Sequence, residues 1–418
     1  MLSPDVLAEV RERFHHVDAC PYAGPRAFFE NAGGSLTLKS VVARSAELHA
    51  LPDNQGRANA ASRALVGLID QGRADMAMFF GASSGEVIVG ETGTELLGRL
   101  IRSAILGTDG AVVGSGLEHP ATFSACGRWA AFDGREYRQV PFDTATAVVG
   151  ATHYEPAITP DTSVATIIHA SPVTGMHVDV ATIAARIRAV SPDCFIIVDG
   201  IQHAAHSAVD IDGYVAAGGA IDGYVVSGYK MFSRHNYGVA WLSDRLTQVP
   251  HDHLDGTPLT QWELGTRDAS AYATFSEVVR YLEWLGQRSS GDELDGREAL
   301  VAAARAIRGQ EHGLVRAMLD GHAGLDGLAR LDRVSVIGPA TSEHRSGMVS
   351  FEIEGIPAAE VVEALNADGV RTHVRKCDHY SAGILEPLGV DACVRASACH
   401  YNSLDEVEAL LATVNRLV

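Results

Sequence analysis

The stretch FIIVDGIQ at residues 195–202 decides the fold of this 418-residue chain. An apolar run rich in β-branched residues ends in Asp199, and Gly200 lets the chain turn. Such a run is typical of a strand that is buried on both faces of a sheet. Open α/β sheets bind ligands outside the carboxyl ends of these strands, so Asp199 stands where a ligand would lie. A bare carboxylate there is costly unless it meets a cation or hydrogen-bond donors, although it could also simply cap a turn.

A second stretch, DGYVVSGYKM at residues 222–231, contains a predicted strand that ends in small polar residues. Lys230 follows directly after this strand end. The chain has only three lysines, and the other two are Lys39, at the start of a predicted helix, and Lys376, between Arg375 and Cys377. A half-buried lysine amine is costly unless it is used, and Schiff-base formation is its familiar use. A protonated pyridine nitrogen would in turn satisfy Asp199.

Around these two stretches, short apolar runs alternate with segments of helical periodicity, which favours a mostly parallel sheet wrapped by helices. The predicted strands are Glu86–Val89, Ala111–Val113, Val164–His169, Cys194–Val198, Tyr224–Val226 and Val239–Leu242. The predicted helices between them are Thr94–Leu106, Thr122–Phe132 and Asp179–Val190.

The pattern changes after Trp241. Residues 244–265 are rich in Asp, Pro, His and Gly and are interpreted as a linker. Two long helices follow, and the last hundred residues predict a smaller α+β domain. Its elements, with the two long helices and an N-terminal helix, are Val6–Phe14, Ala269–Gly286, Glu298–Leu319, Met348–Ile353, Ala358–Ala367, Val370–Val374, Cys393–Ala396 and Leu404–Val418.

Composition narrows the class of protein. With 46% hydrophobic and 20% charged residues, the chain resembles ordinary globular proteins. Its net charge of −19 argues against nucleic acid as a partner. No apolar stretch is long enough to span a membrane, and no secretory signal is recognised. The six cysteines are scattered without a C-x-x-C pair, which suggests reduced thiols. A cytoplasmic location is therefore expected. The group His251, Asp252, His253 and Asp255 is interpreted as a solvated loop, and no metal site is predicted.

Other nucleotide-binding and hydrolase motifs receive little support. The G-x-G-x-x-G fingerprint of dehydrogenases is missing, and no lysine follows a glycine as a Walker loop requires. A G-x-S-x-G match at residues 81–85 lies between a helix and a strand, which is the wrong order for a nucleophile elbow. Gly93 and Thr94 are more informative, because a helix that begins after a strand favours a phosphate. Thr94 could equally be a plain helix cap.

Taken together, the motifs resemble the class V aminotransferase superfamily of fold-type I pyridoxal-phosphate enzymes, which includes cysteine desulfurases. The resemblance covers essentially the whole chain in order. It implies a large domain with a mostly parallel seven-stranded sheet and a smaller α+β C-terminal domain. The matching segments are Glu118-His119, HASPVTG at 169–175, VDGIQ at 198–202, SGYK at 227–230, Gly265-Thr266 and VRAS at 394–397.

The resemblance also implies roles for individual residues. Lys230 would carry pyridoxal phosphate and shuttle the α-proton, while Asp199 would keep the pyridine nitrogen protonated. Arg395 would pair with the substrate carboxylate, a task that suits a guanidinium. The other implied contacts are Gln202 to the ring hydroxyl, His119 on the ring face, Gly93, Thr94 and Ser227 to the phosphate, Thr266 to the phosphate of a partner subunit, and Asn31 on the substrate side.

Three positions depart from the family pattern or stay ambiguous. Tyr229 replaces a histidine before the lysine but could still contact the phosphate. Pro172 replaces an asparagine that helps to position the substrate in desulfurases, and proline has no side-chain donor. Cys377 stands where desulfurases carry a nucleophilic cysteine. Arg375 and Lys376 before it would lower the pKa of the thiol, and His379 could contribute. The basic pair Arg375-Lys376 could instead bind an acidic substrate tail.

The sequence therefore predicts a homodimer with shared active sites that acts on a small amino acid. The favoured activity is cleavage of a carbon–sulfur bond in cysteine or a cysteine derivative. The alternative activities are those of an aminotransferase and of an amino-acid epimerase. The expected organisation is an N-terminal segment at residues 1–28 that packs with the small domain, a large cofactor-binding domain at 29–265 and a small domain at 266–418.

Overall fold

The largest sheet of the computed structural model, which describes residues 1–418, has seven strands. In chain order they are β1 Glu86–Gly90, β2 Ala111–Ser115, β3 Tyr137–Val140, β4 Thr162–Ile168, β5 Phe195–Asp199, β6 Gly223–Ser227 and β7 Gly238–Leu242. Their spatial order is β1-β7-β6-β5-β4-β2-β3. Only β7 runs antiparallel to its neighbours. The predicted α/β class and the mostly parallel seven-stranded sheet are confirmed.

The central strands are continuous apolar runs because helices cover both faces of the sheet. Every residue of β4, β5 and β6 is buried. One face packs into the main hydrophobic cluster, which includes Val198 and Val226, and the other packs under helix Gly93–Leu106 with Ile197 and Val225. The alternation of faces along each strand therefore sends neighbouring residues into two different cores.

Helices make up the layers around the sheet and most of the C-terminal half. The predicted helices are found, with ends shifted by a few residues, and the predicted linker contains only one short helix, α9. The helices are α1 Pro4–Glu12, α2 Lys39–His49, α3 Ala60–Phe80, α4 Gly93–Leu106, α5 Pro120–Phe132, α6 Ala151–Tyr154, α7 Val180–Val190, α8 Ile211–Ala216, α9 Asp244–Thr247, α10 Ala269–Ser290, α11 Gly296–Asp320, α12 Ala358–Ala367, α13 Ala382–Leu385 and α14 Leu404–Leu417. None of them combines the length and the apolar character that crossing a bilayer requires.

A second sheet of four antiparallel strands lies in the C-terminal part of the chain. Its strands are β8 Val334–Ile337, β9 Met348–Ile353, β10 His373–Lys376 and β11 Ala392–Ser397, in the order β8-β9-β11-β10. Helices α12 and α14 pack on one face through a separate hydrophobic cluster. The other face, which carries Arg395, turns toward the large sheet.

Two expectations about strands were wrong in detail. The predicted single strand Val370–Val374 is two strands, because Val370–Arg371 pairs in parallel with Ala27–Phe28 near the N-terminus and His373 begins β10. The strands β3 and β8 were missed. Both are four-residue edge strands that mix polar and apolar residues, so neither shows the apolar run of a central strand.

Close packing of α3 on α10 leads to a stability prediction. A Cβ at Gly72 would lie 2.5 Å from the Cβ of Tyr272 and 2.9 Å from its backbone, whereas a Cβ at Gly67 in the same helix meets nothing within 4 Å. Gly72→Ala should therefore cost about 1–3 kcal/mol through overpacking, while Gly67→Ala should stabilise the helix by roughly 0.5–1 kcal/mol. Thermal unfolding of the two variants checks this, and equal shifts in Tm would contradict the packing.

Candidate active site

The carboxyl ends of the central strands open into a cavity with a volume of about 140 Å³. Strand ends contribute Asp199, Gln202, Ser227, Tyr229 and Lys230 to its wall. The start of α4 contributes Gly93 and Thr94, and the start of α5 contributes His119. The structure thus brings together eight of the residues that the sequence singled out, from four separate segments of the chain.

Lys230 lies at the base of this cavity, on a single 3₁₀ turn after β6. Its Nζ donates to the backbone oxygen of Ala32 at 2.7 Å and to Oε1 of Gln202 at 3.0 Å. Burial lowers its pKa to about 7, helped by the charges of Arg395 and Arg375 and opposed by Asp199. At neutral pH a large fraction of this amine is therefore unprotonated, and an unprotonated amine is a nucleophile and a base.

Asp199 at the end of β5 is 4% exposed, and its hydrogen-bond partners are neutral. One oxygen accepts the backbone N–H of Ile201 at 3.0 Å, and the other accepts the hydroxyl of Thr122 at 3.4 Å. Burial raises its pKa, and the Ile201 N–H and the charge of Lys230 act in the opposite direction. A buried carboxylate with so few donors is stabilised by a cation placed in the cavity.

Glu118 lies behind Asp199 and is also buried. Its Oε1 accepts the backbone N–H of Ile168 at 3.1 Å and the hydroxyl of Ser115 at 3.3 Å. Burial and the nearby charge of Asp199 raise its pKa to about 8. Glu118 is therefore mostly neutral at pH 7, which leaves the negative charge of this region on Asp199.

The start of α4 forms an anion-binding corner. Thr92 caps the helix by accepting the N–H of Glu95 at 3.0 Å, so Thr94 is not the cap. The first amides of a helix have no intrahelical acceptor, and the helix dipole adds positive potential there. A Cβ at Gly93 would lie 2.5 Å from the hydroxyl of Ser227, so only glycine lets this hydroxyl approach the helix start.

His119 is the N-cap of α5, and its Nδ1 accepts the N–H of Ala121 at 3.2 Å. Burial lowers its pKa to about 4, with further lowering by the charges of Lys230 and Arg375. The ring is therefore neutral at pH 7, and with Nδ1 as acceptor the proton is on Nε2. A neutral aromatic ring at the cavity wall suits stacking on a flat ligand.

Arg395 on β11 is 3% exposed and does not line the cavity itself, but it contacts Pro172, which does. Its Nη1 donates to the backbone oxygen of Pro172 at 2.9 Å, its Nε has no partner, and it forms no ion pair. Burial lowers its pKa to about 9, as does the charge of Arg375. The carbonyl of Pro172 thus accepts one hydrogen bond from the Arg395 guanidinium. The other N–H groups of this guanidinium are left for an anion.

Tyr229, which departs from the family pattern, is half-buried and lines the cavity. Its ring stacks on that of His235 at 4.7 Å between centroids. Burial raises the pKa of its hydroxyl. It therefore offers a neutral hydroxyl as donor or acceptor.

The prediction of a lowered pKa for Cys377 was wrong. Burial raises the pKa of the thiol, and the acidic neighbours Glu386, Asp391 and Asp378 raise it further. Cys377 is absent from the cavity wall and packs against the main hydrophobic cluster. All three carboxylates follow the cysteine in the chain, and the segment that carries Asp391 returns to it, since the N–H of Cys377 donates to the backbone oxygen of Asp391 at 2.8 Å. The basic residues before the cysteine therefore do not decide its electrostatics.

The structure places Asn31 and Thr266 outside the cavity wall. The amide of Asn31 donates to the backbone oxygen of Ser397 at 2.8 Å and accepts from the hydroxyl of Tyr401, so it ties the N-terminal loop to the C-terminal part. Its side chain is thereby used structurally, and the neighbouring carbonyl of Ala32 reaches Lys230. Thr266 is exposed on the surface of the single chain.

Sequence reasoning missed two residues that hold Gln202. His206, four residues further on in a stretch of turns, approaches the Gln202 amide with its Nε2 at 3.5 Å. Its Nδ1 contacts both carboxylate oxygens of Glu311 at 2.8 and 2.9 Å. The i, i+4 spacing of Gln202 and His206 was the available signal, whereas nothing in the sequence connects Glu311 to this place.

Two groups of possible metal ligands have other partners. Asp252 pairs with Arg102, and His251 stacks on Trp262 at 4.1 Å between ring centroids. Ligand atoms of Glu311, Cys399 and His400 lie within 4.8 Å of one another. Glu311 is already bonded to His206, and Sγ of Cys399 lies 3.3 Å from Nδ1 of His400, so hydrogen bonds account for this cluster.

Comparison with known proteins agrees with this arrangement. The sequence matches the family model for aminotransferase class-V over residues 27–288 and 314–410. It is 26% identical to a probable cysteine desulfurase 2 of Mycobacterium leprae, over 99% of this chain and 97% of that protein, and 25% identical to the cysteine desulfurase-like protein ustD of Aspergillus flavus, over 94% and 88%. The fold is similar to a cysteine desulfurase of Thermococcus onnurineus, with a TM-score of 0.82, 23% identity and coverage of 100% and 99%.

The lowered pKa of Lys230 can be tested without any ligand. In cofactor-free protein, the rate of amine acylation at Lys230 should rise with pH around 7, because the unprotonated fraction increases there. An ordinary exposed lysine has its midpoint near ~10.4. Peptide mass spectrometry resolves all three lysines, with the exposed Lys39 and Lys376 as internal comparators. A midpoint for Lys230 near that of an ordinary lysine would contradict the geometry.

Proposed function

This chain belongs to the class V aminotransferase family, and on that premise we propose that it cleaves a carbon–sulfur bond in cysteine or a cysteine derivative. It is an enzyme that depends on pyridoxal phosphate. The observation that carries the proposal is Lys230, an amine with a pKa of about 7 beside the buried, unpaired Asp199. Carbon–sulfur chemistry, in preference to amino transfer or epimerisation, is supported by the desulfurase names of the relatives.

The residues around the cavity fit this cofactor. Lys230 has the reactive amine for the covalent bond, and Asp199 has the unpaired carboxylate that a protonated pyridine nitrogen satisfies. The start of α4 at Gly93 and Thr94, with the Ser227 hydroxyl, suits the phosphate. Gln202 would bond the ring hydroxyl and His119 would cover the ring face. When bound, the cofactor withdraws electrons from Cα of the attached amino acid, which weakens the bonds at Cα and then at Cβ.

The protein's own groups would direct this chemistry. Arg395 would bind the substrate carboxylate through the donors that Pro172 leaves free. Lys230 would move the α-proton, a role that a pKa of about 7 permits at neutral pH. Asp199 would hold the proton on the pyridine nitrogen, and neutral Glu118 behind it avoids a second negative charge there.

A homodimer with shared active sites and a cytoplasmic location are further parts of the proposal. Thr266, which the family resemblance assigns to the phosphate of a partner subunit, is exposed and lies outside this chain's own cavity wall, as a shared site requires. Sedimentation at the mass of one 44.3 kDa chain would contradict it. Six free cysteines are consistent with a reducing compartment.

Product analysis tests the proposed reaction. Protein loaded with pyridoxal phosphate should convert L-cysteine or an S-oxidised derivative into alanine with release of a sulfur product. Lys230→Ala should reduce the rate by about 10²–10⁴-fold or more, because the proton-transfer group is lost. Lys39→Ala is the matched control and should leave the rate unchanged. Pyruvate as the product would still mean C–S cleavage, but by β-elimination. A keto acid that retains sulfur would indicate amino transfer and would refute the proposal.

A further inference from the structure

The side chain of Gln202 connects the cavity with a histidine–carboxylate pair that lies outside the cavity wall. Its Oε1 accepts a hydrogen bond from Nζ of Lys230 at 3.0 Å, and its Nε2 lies 3.5 Å from Nε2 of His206. Nδ1 of His206 in turn lies 2.8 and 2.9 Å from the two carboxylate oxygens of Glu311. Gln202, His206 and Glu311 are all buried, so these contacts determine how the three side chains are oriented.

The carboxylate determines which nitrogen of His206 carries the hydrogen. A carboxylate only accepts hydrogen bonds, so Nδ1 of His206 donates to Glu311 and Nε2 keeps a free electron pair. Nε2 therefore accepts a hydrogen bond from the Gln202 amide, and only the NH₂ end of that amide can donate it. The oxygen end of the amide must then face the opposite way, toward Lys230.

The histidine and the carboxylate are each anchored independently of the cavity. Glu311 lies on α11, and a Cβ at Gly347 would lie 3.1 Å from its Cδ and Oε2, so the glycine leaves the carboxylate its place. The backbone N–H of His206 donates to the oxygen of His203 at 2.9 Å. The ring of His203 stacks on that of His169, with 3.3 Å between the centroids. Neither partner therefore has to follow a reorientation of the amide.

The direction of the amide matters for the free electron pair of Lys230. An unprotonated amine has two hydrogens and one electron pair. The backbone oxygen of Ala32 accepts one hydrogen at 2.7 Å, Oε1 of Gln202 accepts the other, and Nζ has no third hydrogen-bond partner. If the amide were reversed, its NH₂ end would donate to Nζ and occupy the electron pair. This hydrogen bond would have to break before Nζ could form a new bond or take up a proton.

We propose that His206 and Glu311 are positioning residues, which keep the electron pair of Lys230 free by holding the Gln202 amide in one direction. This inference rests on the proposed function, in which Lys230 moves the α-proton. It identifies the two residues outside the cavity on which that step depends.

The experiment measures the limiting rate of Lys230 acylation at high pH in cofactor-free protein. His206→Arg places a guanidinium, which only donates, between Glu311 and Gln202, so the amide should turn its oxygen toward the guanidinium. The limiting rate should then fall by about tenfold or more, because the reversed amide occupies the electron pair. His206→Gln keeps a donor toward Glu311 and an acceptor toward Gln202, so its limiting rate should stay within about twofold of the wild-type rate.

His312→Gln is the matched control. His312 follows Glu311 on α11 and lines the same small polar cavity as His206, but its Nε2 has no hydrogen-bond partner. Its substitution should change neither the limiting rate nor the pH midpoint of Lys230 acylation. Equal limiting rates in His206→Arg and His206→Gln would overturn the inference.

The pH midpoint separates a reversed amide from a loosened structure. If His206→Arg only disturbed the packing, water would reach Lys230 and its midpoint would rise toward the ~10.4 of an ordinary lysine. A reversed amide stabilises the neutral amine, so the midpoint should stay at the wild-type value or fall below it. A lower limiting rate with a raised midpoint would therefore also overturn the inference.

A second measurement needs no destabilising variant. In ¹⁵N NMR of the wild-type protein with labelled histidine, the signals of His206 are those that disappear in His206→Gln. We expect the hydrogen of His206 on Nδ1 and an unprotonated Nε2. A hydrogen on Nε2 would overturn the inference, because the amide would then present its oxygen to His206.

The outcomes separate this inference from the proposed function. In the loaded enzyme, His206→Arg should lower kcat for alanine formation by about tenfold while KM changes by less than about threefold. Unchanged kcat and limiting rate in this variant would overturn the inference and leave C–S cleavage intact. A lower limiting rate with an unraised midpoint, in a protein that cleaves no cysteine derivative, would support the inference and refute C–S cleavage.

Discussion

The burial of one lysine amine is the constraint on which the rest of this site depends. Lys230 has only the carbonyl of Ala32 and the amide oxygen of Gln202 as close acceptors, and its pKa falls to about 7. Residues that are distant in sequence hold each of these two acceptors in place. Asn31 ties the Ala32 loop to Ser397, and His206 with Glu311 holds the Gln202 amide. The two sheets are thus connected through the groups that orient the reactive amine.

Unpaired groups of opposite sign define what the cavity can bind. Asp199 lacks a cation, whereas Arg395 and Arg375 lack anions, and the start of α4 adds an anion-binding corner. One ligand that carries a protonated ring nitrogen and a phosphate would satisfy the first and last of these. The carboxylate of a substrate would satisfy the free donors of Arg395. The same accounting of charges therefore accommodates the cofactor and an amino-acid substrate together.

The sequence was sufficient for those features that depend on local pattern. The apolar runs that end in Asp199 and Ser227 predicted the strands and the edge where they meet, and the scarcity of lysine singled out Lys230. It was not sufficient where contacts come from distant segments. Two basic residues precede Cys377 in sequence, but Glu386 and Asp391, nine and more residues further on, help to raise the pKa of its thiol. The side chain of Asn31 is engaged by Ser397 and Tyr401 outside the cavity. Strand alternation, which separates Arg375 from Lys376, became visible only once the register of β10 was known.

Borohydride reduction of the protein loaded with pyridoxal phosphate, followed by peptide mass mapping, tests the central claim most directly. With only three lysines in the chain, the reduced cofactor can be assigned to one residue without ambiguity. The account predicts a stable adduct on the peptide that contains Lys230 and none on those with Lys39 or Lys376. An adduct on either of the other lysines, or none on any, would contradict it.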